Sequence, residues 1–198
     1  MRHFIFCHGF GFDNSFWCNL APYFMQEKCT YLDLGYFGEG YFPEIIKNDD
    51  LLIGVGHSLG MAKLLQLDIK FDYLIGLNAF SNFLGNDSSL RMKRKADLEI
   101  LKKHFTKYPK KSLKEFHRRC GVSIAIGDQK IDGRKLLWDL DFLEINFKIP
   151  EHIPKAVGKL DSILSGEHSE CTEKYMSTRI HDKTENQFAH REGYNKKS

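Results

Sequence analysis

The chain has 198 residues, 42% of them hydrophobic and 28% charged, a balance that suits one globular core, with or without an insertion, and excludes a disordered tail protein. The formal net charge of +3, from 29 Lys and Arg against 26 Asp and Glu, selects no class of partner as a total. Cys7, Cys18, Cys29, Cys120 and Cys171 form an odd set without a C-x-x-C pair, which argues against a disulfide framework or zinc ribbon and for reduced thiols.

The first apolar run, residues 4–7, is too short for the centre of a secretory signal. No run approaches the roughly 18 apolar residues that a membrane span needs. A soluble protein that stays in the cytoplasm is the expectation. Residues 4–7, 31–34, 51–55 and 73–77 are short apolar runs ended by glycine or polar turns and are predicted as buried strands. Residues 14–26 and 59–69 between them have helical character. Strand alternating with helix predicts an α/β fold, a mostly parallel sheet with helices on both faces.

The rhythm breaks after residue 86. Residues 87–149 are charged and helical in texture, with Leu98, Leu101 and Phe105 three and four apart. This segment reads as an inserted helical lid on a core formed by 1–86 and 150–198. The strand pattern resumes at 153–157, with a further candidate at 175–180.

Gly56-His57-Ser58-Leu59-Gly60 lies directly after the predicted strand 51–55 and before a helix-like run. It matches G-x-S-x-G, in which a sharp strand-to-helix turn projects a serine hydroxyl and the small flanking residues avoid collision with neighbouring backbone. The helix that follows turns its amino-terminal N–H groups toward the charge that develops on attack. A second glycine-rich element, His8-Gly9-Phe10-Gly11, follows the first strand.

With these two elements the chain resembles the α/β-hydrolases. His8-Gly-Phe-Gly-Phe-Asp-Asn-Ser-Phe-Trp17 resembles their H-G-x-G block with a tryptophan nine positions on, and is most similar to the pimeloyl-[acyl-carrier protein] methyl ester esterases of biotin synthesis. The likeness covers about the first 85 residues. One departure is plain: Asp33-Leu34-Gly35-Tyr36-Phe37-Gly38 lacks the proline of the family's D-x-P-G-x-G.

The resemblance implies a serine carboxylic-ester hydrolase without cofactor or metal; no H-E-x-x-H or similar ligand spacing is present. Ser58 would be the nucleophile. The family's order is Ser, acid, His, which implies Asp161 as the acid, in a strand-G-x-x-D segment, and His190 as the base, 29 positions later. Asp132 and His181 remain the alternatives. His8 and His57 read as positioning residues. Backbone N–H groups of Phe10 and Leu59 would form the oxyanion hole, whereas Phe12, Phe16 and Trp17 read as ordinary core.

Residues 91–120 hold 12 Lys or Arg against three acidic residues, a local +9 that leaves the other 168 residues at −6. Such polarity steers anionic partners. In the resembled esterases the lid docks an acidic acyl-carrier protein bearing the small acyl ester substrate, which here implies Arg91, Lys93, Arg94, Arg118 and Arg119 as contacts. Neither a membrane nor a nucleic acid is the expected partner. Two other readings share these residues: a broad-specificity carboxylesterase or thioesterase, and an inactive hydrolase-like binding protein that uses its basic lid, given that only eight residues follow His190.

Overall fold

The computed structural model describes residues 1–46, 51–80, 82–122 and 130–145, and the backbone of 155–156. Among the described residues five parallel strands, β1 (Arg2–Cys7), β2 (Lys28–Leu32), β3 (Leu51–His57), β4 (Tyr73–Leu77) and β5 (Lys155–Ala156), form one sheet in the order β2-β1-β3-β4-β5. β1 shows why its sequence is a near-continuous apolar run. Phe4 and Phe6 enter the core on one face while Ile5 and Cys7 enter it on the other, as a strand covered on both sides requires.

The expected strands 4–7, 51–55 and 73–77 are present, and β3 runs on through Gly56 and His57 into the motif. β2 lies three residues earlier than expected and ends at Leu32. Leu34 is buried for another reason: beyond the ladder, its N–H donates to Nε2 of the buried His8 at 3.0 Å. The expected helix at 14–26 is instead two 3₁₀ turns. Asn14–Trp17 is capped by the Asp13 carboxylate accepting from the Ser15 N–H, and Ala21–Phe24 opens at Pro22, which lacks an N–H.

Those turns cover one face of the sheet, where Trp17, Phe16, Leu20 and Phe24 pack on Phe4, Phe6, Ile53 and Val55. The other face carries the α-helices: α1 (Leu59–Leu65), α2 (Ser88–Lys107), α3 (Pro109–Arg119) and α4 (Gly133–Phe142). Among the described residues, then, both faces carry helical structure, α-helices on one and the two 3₁₀ turns on the other. α2 starts at Asp87, whose carboxylate accepts from the Leu90 N–H at 2.8 Å. Leu98, Phe105, Leu113, Leu136 and Leu140 from α2 to α4 lie in one apolar cluster with Ile5, Cys7, Leu52 and Leu59. The basic helices are therefore packed into the core of the sheet. The expected strand at 175–180 lies outside the described residues.

Candidate active site

The chain leaves β1 toward β2 on one side and returns through β3 and β4 on the other, so the strand order reverses between β1 and β3. In open parallel sheets, ligands bind at the carboxyl ends of the strands at such a switch point. The ladder pairs Cys7 with Gly56, so the glycine-rich loop and the serine turn start side by side at this place.

Ser58 has φ 51° and ψ −120°, a conformation that a residue with a side chain adopts only under strain. Its N–H donates to the Leu77 carbonyl at 2.8 Å, and its carbonyl accepts from the Met61 N–H at 3.2 Å. The hydroxyl makes no capping bond to α1. Both flanking glycines are required by space: a Cβ on Gly56 would lie 2.4 Å from Met61 Cα, and one on Gly60 would lie 2.1 Å from the Cys7 carbonyl oxygen. This is the sharp strand-to-helix turn that the G-x-S-x-G spacing calls for.

The glycine loop is fitted to the elbow. A Cβ on Gly9 would lie 2.7 Å from His57 Nδ1. The His57 ring stacks on Phe16 at 4.2 Å and meets Phe12 edge-on at 5.6 Å. Burial pushes its pKa down to about 4, with His8 adding a smaller effect, so the ring is neutral near pH 7. His8 is fully buried; Nδ1 donates to the Gly9 carbonyl at 2.9 Å, and Nε2 accepts from the Leu34 N–H. Asp33 Oδ1, 3.6 Å from that nitrogen, is beyond hydrogen-bond range. His8 thus bonds to backbone on both sides, and the His57 ring packs between aromatic side chains.

Of the two expected oxyanion donors, Leu59 is the first residue of α1, where an N–H has no intrahelical acceptor. The Phe10 ring is buried against Tyr36, Phe105 and Phe116, with centroids 5.1 to 5.7 Å away, which leaves its backbone as the part able to take the expected role. Asp161, His190 and the alternative His181 lie outside the described residues. Asp132 caps α4: its carboxylate accepts from the Lys135 and Arg134 N–H groups, which lower its pKa. That use competes with service as a catalytic acid.

The five basic residues are not equivalent. Lys93, Arg118 and Arg119 are exposed while Arg91 and Arg94 are half-buried. Arg94 donates to the Phe83 carbonyl at 3.2 Å, and Arg118 forms a two-pronged pair with Glu115 at 2.6 and 2.8 Å. Phe12 and Phe16, read from the sequence as core, pack as such and also wall His57, whereas the sequence reading did not single out His117, whose Nε2 lies 2.6 Å from the Gly11 carbonyl oxygen. The available signal for His117 was its place four residues after Leu113 on an otherwise basic helix.

Among the described residues no group of three or more His, Cys, Asp or Glu is placed to hold a metal ion. No helix there is long and apolar enough to cross a membrane. No family model and no curated protein matches the chain. Similar solved structures include a lipase-esterase related protein from Clostridium acetobutylicum ATCC 824, 18% identical with a TM-score of 0.46 over 79% of this chain and 73% of that one. Another is a marine microorganism esterase, 14% identical with a TM-score of 0.45 over 79% and 75% of the two chains.

Proposed function

We propose that the chain is a serine-dependent carboxylic-ester hydrolase. The observation that carries this reading is the strained backbone of Ser58, held between two glycines that admit no side chain, beside a glycine loop at the switch point of the sheet. Ser58 Oγ attacks the ester carbonyl while His190, oriented by Asp161, takes the hydroxyl proton. The N–H groups of Leu59 and Phe10 receive the developing oxyanion. The proton passes to the departing alcohol, and water then releases the acid from Ser58 by the same steps. Turnover of short p-nitrophenyl esters and labelling by a fluorophosphonate probe are both expected to vanish in Ser58→Ala. Unchanged turnover in that variant would end the proposal, whereas an unlabelled wild-type protein would favour the binding-protein reading.

Within this reading, the preferred substrate is a methyl ester of pimelate carried on an acidic acyl-carrier protein. The block from His8 to Trp17 and the +9 stretch on α2 and α3 support it; charge complementarity would speed such docking. Cytoplasmic location goes with that role. Failure to restore growth of a biotin auxotroph lacking its own esterase would leave the broader carboxylesterase or thioesterase.

A further inference from the structure

The turn that presents the Phe10 N–H is weakly closed by its own backbone. Phe12 N–H reaches the Gly9 carbonyl at 3.4 Å, and Gly11 sits at φ +73°, the arrangement of a type II turn with glycine at its third position. A hydrogen bond this long constrains little. The firmer bond comes from α3: His117 Nε2–H donates to the Gly11 carbonyl at 2.6 Å, across 106 positions of chain. A carbonyl can only accept, so the proton is on Nε2.

The contact is enclosed. His117 is buried, its ring lies 5.1 Å from Phe12, and neighbouring Phe116 packs on Phe10 at 5.1 Å. A Cβ on Gly11 would lie 2.8 Å from Leu113 Cδ1. Burial lowers the His117 pKa although the bond to Gly11 opposes it, which keeps the ring neutral. The bond fixes the last peptide of a turn whose first peptide carries the Phe10 N–H.

We infer that His117 is a positioning residue for the oxyanion hole: by holding the Gly11 carbonyl, it aims the Phe10 N–H at the reacting carbonyl oxygen. This rests on the serine-hydrolase reading. An N–H displaced by a fraction of an ångström still binds substrate but stabilises the transition state less.

The test compares His117→Gln, whose amide N–H replaces Nε2–H, with His117→Met, of similar volume and no donor, using p-nitrophenyl butyrate. Thermal melts verify folding. His117→Met is expected to lower kcat about 10- to 100-fold with KM within about twofold, and His117→Gln to recover most of the loss. If the Met variant does not fold, His117→Asn, one bond too short to reach, takes its place. Equal kcat in the donor and non-donor variants, or a loss confined to KM, would overturn the inference. A Ser58→Ala control separates the two levels: retained turnover there defeats the hydrolase reading itself, whereas lost turnover with equal His117 variants defeats only the role of His117.

Discussion

The Tyr36 hydroxyl donates to the Asp139 carboxylate at 2.5 Å, joining residues 103 positions apart. Burial, reinforced by Asp139, holds the Tyr36 pKa well above its ordinary value, so the hydroxyl stays a donor. The other Asp139 oxygen accepts from Lys63 on α1, whose Nζ lies 4.5 Å over the Phe142 ring. The helix that follows Ser58 is thus tied to α4 through one buried carboxylate. Removing one partner of a buried ion pair costs about 3 to 5 kcal/mol, so Asp139→Asn is expected to destabilise more than Tyr36→Phe, which loses a single hydrogen bond to a charged group, about 2 kcal/mol. Urea midpoints of the two variants decide it, and the reverse order would mean that Lys63 finds another partner.

Gly60→Ala asks a methyl group to occupy the space of the Cys7 and His8 carbonyl oxygens, at 2.1 and 2.5 Å. Backbone cannot yield as a side chain end does. A loss of about 3 kcal/mol or more is expected, seen as a lowered melting temperature. Gly38→Ala, where a Cβ would meet nothing within 4 Å, serves as the control and is expected to change little.

Acid should weaken the fold before it reaches most carboxylates. His57 has a folded pKa of about 4 against 6.5 for an ordinary histidine, so the unfolded chain binds the extra proton first. The stability that its neutral ring contributes is complete above about pH 6.5 and is lost as pH falls through 4, about 3 kcal/mol in all. His117 is shifted in the same direction. His57→Phe should flatten the dependence of the urea midpoint between pH 6.5 and 4. An unchanged slope would show that the ring is not confined as described.

The thiols should differ sharply. Cys7 is buried and desolvation pushes its pKa up to about 12, whereas Cys18 is exposed. A thiol reagent followed by mass mapping at pH 8 is expected to modify Cys18 within minutes and Cys7 only after denaturation. Early modification of Cys7 would mean that the end of β1, from which the glycine loop springs, opens readily.

Much of the centre of the sheet was legible because β1 and β3 are buried on both faces, and continuous apolar runs mark such strands. β2, at the edge, was misplaced. Its Lys28 and Thr30 are polar, while Leu34 beyond it packs in the main apolar cluster without joining the ladder, its N–H bonded to the His8 ring 26 positions away. The stretch 14–26 has helical character as a sequence, but Asp13 and Pro22 impose separate short turns. The turn at Ser58 was legible because glycine spacing is a steric requirement written locally. His117 was not, since nothing near it in sequence says that its ring meets Gly11.

The pairing of Cys7 with Gly56 across the β1–β3 ladder has a consequence for how freely this chain can drift. Adjacent parallel strands sit about 4.8 Å apart whatever side chains they carry. At its base, the gap between the glycine loop and the serine turn is therefore set by backbone atoms common to every residue, and Gly9, Gly56 and Gly60 matter to it through the side chains they lack.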